Sequence, residues 1–406
     1  MVPGQPVLSC PSTELLLFRG LERRLRGENS LSRALRTLDM VGSGLVGRLP
    51  RGCRLCIGGA KMVLFVTGLC NQGCFYCPIS EKRRGKDDVW ANEVLVTSDE
   101  DILAEAEVSG AKGTSITGGE PLLRVERVIG YLDLLKECFG EEHHVHLYTS
   151  CKALEPGVLT RLWEHGLDEL RLHPFGREDW RCIEEATKLG GDMSIGVEIP
   201  AIPGELPYLL EFLPFLESIG VEFLNLNELE FSETNREELL ARGYTPVGGL
   251  SMGAKGSEDV AKAVLRHAQE LDRLTVHYCP SRFKDRIQLR HRLVRRSRRV
   301  AKPHELVTED GLLVKGVVYP GSKSLEEAAK VLVGEYGVPP DMVWIDKEKN
   351  RVETSLEVVE TLGEDRRIVG EGWRLAIVEE YPTRDRFETL VIPLSEKRSR
   401  VRDKSL

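Results

Sequence analysis

From Lys61 onward, short apolar strand-like runs alternate with helix-like stretches about six times, a pattern that leaves few folds open. Strands separated by ten or more residues of helix do not form hairpins; they pair in parallel, with each helix crossing back over the sheet. The expected strands are MVLFVTGL (62–69), GTSITGG (113–119), HVHLYTS (144–150), DELRLHP (168–174), MSIGVEIPAIPG (193–204) and FLNLNELEF (223–231). Stretches such as PLLRVERVIGYLDLLKECF and ELPYLLEFLPFLESIG read as the helices between them. Six such units make a partial or closed barrel, with chemistry gathered where the strands end. The expected class is α/β: a partial (β/α)6 TIM-like barrel with an N-terminal helical extension and a small C-terminal α+β domain.

The flanks read differently. STELLLFRGLERRL (12–25) and SLSRALRTLDMV (30–41) space their apolar residues at helical intervals, so residues 1–60 form an extension that also carries a C-x-x-C. The barrel core is expected over 61–281, a basic linker helix over 282–303, a compact α+β domain over 304–395 and a solvated tail over 396–406. The longest apolar runs, such as MVLFV, fall far short of the roughly 20 residues that span a bilayer, and the start lacks a charged-then-apolar leader. A cytoplasmic address away from membranes is the expectation. Ten cysteines in 406 residues then serve as ligands or core residues of a reducing compartment, not as a disulfide framework.

Five of the ten crowd into residues 53–77. Thiolates bind zinc or iron–sulfur clusters, and two pairings compete. Cys53-x-x-Cys56 followed by Cys74-x-x-Cys77 has the spacing of a four-cysteine zinc ribbon, which would make a non-catalytic binding protein and leaves Cys70 idle. Alternatively Cys70, Cys74 and Cys77, in CNQGCFYC directly after the first strand, hold three irons of a [4Fe–4S] cluster and leave the fourth open.

That C-x-x-x-C-x-aromatic-C pattern, with Tyr76 in the aromatic place, resembles the signature of the radical SAM superfamily. The second strand ends in TGGEP, Thr117, Gly118, Gly119, Glu120 and Pro121, which is similar to that family's GGE motif. The resemblance covers roughly residues 61–231. It implies that S-adenosylmethionine supplies the missing ligand and that the glycine backbone and Glu120 hold its amino group. Reductive cleavage would then give methionine and a 5′-deoxyadenosyl radical, which takes hydrogen from a substrate. An electron donor such as ferredoxin or flavodoxin follows. By the same resemblance Thr149 and Ser150, His173, and Glu198 and Ile202 in VEIPAIPG face the nucleoside; the plain alternative is that strand-end Thr and Ser satisfy backbone groups and the histidine is structural. The CFYCP context is similar to the group related to pyruvate formate-lyase activating enzymes, which includes archaeal members.

Three features stand outside that core. Asn225, Asn227 and Glu228 interrupt the sixth apolar run and are candidates for a substrate pocket, although alternation keeps them from all facing one side. Cys53 and Cys56, with Cys279 and completed by Cys10 or His277, form a candidate second metal centre, the alternative being a reduced pair. Finally, ten of the 21 residues from Arg282 to Lys302 are basic against one Asp, a local balance of +9 in a chain of net charge −8. RNA binding is one reading of this segment; a solvated helix pairing with the acidic remainder is the other, with Phe283 the one aromatic available to stack on a base.

Overall fold

A computed structural model describes residues 42–249 and 251–394. The two expected N-terminal helices, Cys10 and the tail lie outside the described residues. The chain divides into two compact units, one holding residues up to 107 with 111–289, the other 108–110 with 290 onward.

The first unit is built on a ten-stranded sheet. Seven of its strands run parallel: β2 (Lys61–Phe65), β5 (Gly113–Thr117), β6 (His144–Ser150), β7 (Glu169–His173), β8 (Ser194–Ala201), β9 (Phe223–Glu228) and β12 (Thr275–Cys279). The expected six are thus joined by a seventh, TVHYC. Antiparallel edges end the sheet, β1 (Gly44–Val46) beyond β12 and the pair β3 (Trp90–Ala91) and β4 (Val94–Leu95) beyond β2. The full order is β1-β12-β9-β8-β7-β6-β5-β2-β3-β4, so the barrel is partial. A small hairpin, β10 (Pro246–Gly248) and β11 (Ser251–Ala254), lies apart from it.

Period-two alternation gives the sheet two unlike faces. Register aligns Leu64, Ile116, Leu147 and Leu170 on one, and Leu172, Val197, Leu224 and Val276 beside them. All eight are fully buried in the main hydrophobic core, with Val128 and Leu132 of the helix Val125–Phe139 and Phe212 and Leu216 of Leu206–Ser218. The opposite face is polar: His144, His146 and Tyr148 on β6, Glu169 and Arg171 on β7, Glu198 on β8, Asn225 and Asn227 on β9. Helix α1 (Arg51–Ile57) packs on this polar face, where the Gly52 N–H donates to Glu169 Oε2 at 3.1 Å. Any side chain at 52 would collide: a Cβ there lies 2.7 Å from Arg171 Nη2, 2.8 Å from His146 Nδ1 and 2.9 Å from Glu169 Oε1. Residues 44–57, grouped by sequence with an N-terminal extension, thereby supply an edge strand and an inner helix to this unit.

The second unit is an antiparallel sheet, β15 (Trp344–Asp346), β16 (Arg351–Thr354), β14 (Leu313–Tyr319), β17 (Arg374–Glu380) and β18 (Glu388–Pro393), with β13 (Leu306–Val307) on β14. Helices Leu325–Gly334 and Leu356–Glu364 supply Ala328, Leu332, Val359 and Leu362 to a core with Val318, Val352 and Trp373. The first helix opens on a capping box between Ser324 and Glu327. The sheet's other face buries charge: Lys315 lies 2.7 Å from both Glu353 and Glu380 and 3.2 Å from Glu305. Among the described residues no helix is long and apolar enough to cross a membrane.

Candidate functional site

The loop after β2 is fixed at its base before it reaches the cysteines. Gly68 donates to Lys86 O at 2.7 Å and accepts from Gly85 N at 2.9 Å, and Thr67 Oγ1 donates to Asp87 at 2.7 Å. Arg127 and then Thr67 hold the Asp87 carboxyl well below the usual range. Beyond this base Cys70 is exposed, Cys74 and Cys77 are half-buried, and all three are free thiols. Phe75 stacks on Tyr244, and Asn235 Nδ2 donates to Tyr76 O at 2.9 Å.

TGGEP continues the pairing of β5 with β2. Gly119 N–H donates to Thr67 O and Glu120 N–H to Leu69 O, each at 2.8 Å. Only glycine allows that approach, since a Cβ on Gly118 would sit 2.5 Å from Thr67 O and one on Gly119 2.3 Å from Leu69 O. The buried Glu120 carboxylate accepts from Thr149 Oγ1 at 2.6 Å and Leu122 N at 3.1 Å through one oxygen, and from Ser150 N at 2.9 Å through the other. Gln72 of the cysteine loop reaches Ser150 Oγ at 3.3 Å. His173 Nδ1 lies 2.9 Å from the Glu198 carbonyl, which only accepts, so Nδ1 carries the proton and Nε2 accepts from Tyr76 OH at 2.7 Å. Burial depresses the His173 pKa, in keeping with a neutral ring.

Cys70, Cys74, Tyr76, Cys77, Thr117 to Pro121, Thr149, Ser150, His173 and Glu198 all line one cavity of about 920 Å³; Ile202 is not among its lining residues. The donor set fits an iron–sulfur cluster. Burial raises the Cys70 and Cys74 pKa values, Cys74 to about 11 with Cys77 and Cys70 adding to the shift, so three thiolates gathered here require a cationic partner. Their three sulfurs do not all lie within 4.8 Å of one another, the reach of a single ion. A cubane takes each thiolate on a different iron and has no such limit.

Beneath the cavity the polar face forms one connected network. Glu198 accepts from Arg171 Nη1 at 2.6 Å, Asn225 at 3.0 Å and Asn227 at 2.9 Å. Burial opposes its ionisation, but Arg171 and the two amides outweigh that and hold its pKa at about 2. Asn225 and Arg171 also donate to the Cys53 sulfur, at 3.2 and 3.4 Å. Cys56 and Cys279 meet through Gln288, at 3.0 and 3.4 Å. Neither Cys53, Cys56 and Cys279 nor the ribbon set Cys53, Cys56, Cys74 and Cys77 gathers within reach of one ion, and His277 instead meets Ser43 Oγ at 3.2 Å. Glu228 points away from the network and accepts from Ser281 N and Oγ, both at 2.8 Å. Glu169, Arg171, Tyr148, His144 and His146 escaped the sequence reading, although H-V-H-L-Y and E-L-R-L-H show the polar alternation that marks them.

The basic segment falls partly in each unit. In the first, Phe283 is fully buried and Lys284 pairs with Glu230. In the second, the helix Arg290–Val300 buries Arg296, which donates to Pro382 O at 2.6 Å, and Arg290 pairs with Asp310 at 3.0 Å.

The radical SAM superfamily model matches residues 64–207, and that of a domain of unknown function matches 311–394. A Methanocaldococcus jannaschii protein, provisionally named a glycyl-radical enzyme activating enzyme, is 38% identical over 378 residues, 87% of this chain and 95% of that one. Among solved structures, Streptococcus suis SuiB overlaps 56% of this chain and 51% of its own at 12% identity and a TM-score of 0.39. Escherichia coli coproporphyrinogen III oxidase, a radical SAM enzyme, overlaps 55% and 56% at 12% identity and 0.35. The chain spans about half the length of these two structures. The M. jannaschii relative is matched along nearly its whole length, and the superfamily's segment contains both the cysteine loop and TGGEP; this chain belongs to the radical SAM superfamily of iron–sulfur enzymes.

Proposed function

We propose that this chain activates a partner protein by taking a hydrogen atom from it, with Cys70, Cys74 and Cys77 holding the cluster and Glu120, Thr149 and Ser150 receiving the amino-acid end of S-adenosylmethionine. The observation that carries this reading is the convergence of all six residues on one cavity. When bound, the cluster and S-adenosylmethionine supply one-electron cleavage of a sulfonium–carbon bond and a 5′-deoxyadenosyl radical. The chain's own residues bind and orient. Gly118 and Gly119 bring backbone against the ligand, Glu120 offers a carboxylate to an ammonium group, and the Tyr76–His173 pair stiffens the wall between cluster loop and nucleoside site. The glycyl-radical name of the relative supports a protein substrate, and a cytoplasmic ferredoxin or flavodoxin is the electron donor that suits a soluble cluster enzyme. An RNA substrate draws no support from the basic segment, where Phe283 is buried and several cations are already paired.

Anaerobic reconstitution tests this. Wild-type protein binds iron and sulfide and yields 5′-deoxyadenosine under reduction, whereas Cys70→Ser yields none. Colourless protein with stoichiometric zinc that tolerates Cys70→Ser would overturn the chemistry. A partner protein carrying deuterated glycine passes label into 5′-deoxyadenosine; label arriving only from small molecules removes the protein-substrate half.

A further inference from the structure

The buried cluster His144, His146 and Glu169 takes no part in the radical site. It lies near the end of the barrel where the strands begin. His144 and His146 share one face of β6, and His146 stands directly opposite Glu169 on β7. One ligand atom from each falls within 4.8 Å of the other two. His144 is 2% exposed, His146 and Glu169 0%, yet neither nitrogen of His146 has a hydrogen-bond partner, and His144 has only ion-pair contacts, Nε2 3.3 Å from Glu169 and Nδ1 4.0 Å from Asp168. The two His146 nitrogens are costly in a finished core, because each has given up its water and gained no hydrogen bond.

We propose that these three residues bind a divalent transition-metal ion of borderline softness, zinc or ferrous iron. Two imidazoles and one carboxylate are a donor set both metals accept. The carboxylate is oriented for it. Glu169 Oε1 takes the Arg171 Nε–H at 2.6 Å, while Oε2, held by the Gly52 N–H at 3.1 Å, faces His144 Nε2 at 3.3 Å. Such outer contacts fix a ligand's direction. Arg171 meets only Oε1, through Nε and Nη2, and gives Nη1 to Glu198, so Oε2 and the His146 nitrogens stay open to an ion. Glu169 and Glu198 against Arg171 leave the buried group one negative charge in excess, which a dication with two neutral imidazoles reverses to one positive. An ion reaches it from solvent: a cavity of about 680 Å³ opens onto His144 and Glu169 past Arg51 and Arg54. The second unit contains a similar set, His304, Glu305 and Glu353, but there Lys315 already supplies the cation, 2.7 Å from Glu353. In the barrel cluster the cation is the Arg171 guanidinium, which pairs with Glu169 Oε1 and leaves Oε2 to the Gly52 N–H and His144. An ion here ties β6 and β7 together beneath α1, the helix that carries Cys53 and Cys56, and does so independently of the radical chemistry.

The test uses the untagged full-length chain with Cys70, Cys74 and Cys77 changed to serine, so that cluster thiolates do not compete. Titration with Co²⁺ gives visible d–d bands saturating at one equivalent, without the near-ultraviolet charge-transfer band of a thiolate ligand, and Zn²⁺ displaces it. His146→Gln weakens binding by more than the roughly 10–100-fold that loss of an outer contact costs, whereas His165→Asn, at the C-terminal end of the helix Pro156–Glu164, leaves it unchanged. Should His146→Gln fail to fold, the chain with its histidines intact still decides: one equivalent of Zn²⁺ raises its melting temperature by several degrees and a chelator reverses this. No bands and no thermal shift, or a thiolate band abolished by Cys53→Ser, overturns the site.

Discussion

Gly119→Ala tests how the cysteine loop is held. An added Cβ would sit 2.3 Å from Leu69 O, 2.8 Å from the Leu69 carbonyl carbon and 2.9 Å from Gly68 O. All three are backbone atoms leading directly into Cys70, so no side chain swings aside to relieve the contact. Reaching even 3.0 Å from Leu69 O requires the loop or the TGGEP turn to shift by about 0.7 Å. The hydrogen bonds from Gly119 N to Thr67 O and from Glu120 N to Leu69 O, both 2.8 Å, lengthen with it. Overpacking costs about 1–3 kcal/mol, and a weakened backbone hydrogen bond adds about 1 kcal/mol. Restricting the unfolded chain returns about 0.4–1 kcal/mol, which leaves a net loss of roughly 1–3.6 kcal/mol. For a unit of this size that lowers the melting temperature by about 2–14 °C, and the displaced loop retains less iron on reconstitution. Gly73, in the same loop, has no atom within 4 Å of the place an added Cβ would take, so Gly73→Ala is the matched control. Circular dichroism melts and iron content measure both variants. A Gly119→Ala protein within about 0.5 kcal/mol of wild type, or a Gly73→Ala protein equally damaged, refutes the steric account.

Further expectations rest on single contacts. Tyr76→Phe removes the 2.7 Å bond to His173 and costs about 0.5–1.5 kcal/mol, with slower 5′-deoxyadenosine formation at unchanged iron content. Glu198 is held at about 2 against an unfolded value near 4.5, so its contribution is present in full above pH 4.5 and is lost as pH falls toward 2; converted, that is about 3 kcal/mol. The double variant Asn225→Ala with Asn227→Ala therefore moves acid unfolding to higher pH, and an unmoved acid midpoint contradicts the assigned network. Lys315→Met removes the ammonium shared by Glu305, Glu353 and Glu380, leaves them to Arg351 and Arg386, and destabilises the second unit by about 3 kcal/mol, read from the emission of buried Trp373.

The parallel sheet was legible because it depends on the order of apolar runs, and runs are contiguous in sequence. The cysteine loop and TGGEP were legible for the same reason: each puts its chemistry within a few consecutive residues at a strand end. Cys53 and Cys56 show where that logic needs the fold. Their spacing invites a metal, but helix α1 turns Cys53 toward Arg171 and Asn225, residues more than a hundred positions away.

The interior network is built from cross-strand register, which a sequence does not display. Once β6 and β7 pair with His146 opposite Glu169 and Tyr148 opposite Arg171, the polar residues of two short strands become one buried cluster. Alternation alone was enough to flag Asn225 and Asn227, and the same test applied to HVHLY and ELRLH finds the rest. Burying so many polar groups costs stability unless each is satisfied. The Glu198 carboxylate is satisfied, by Arg171 and two amides that leave it ionised at the cavity wall, although the Asn225 Oδ1 beside it has no partner. Around His146 both ring nitrogens lack one, and that contrast within one sheet face separates a carboxylate already held by donors from a pair of ligand atoms still lacking an acceptor.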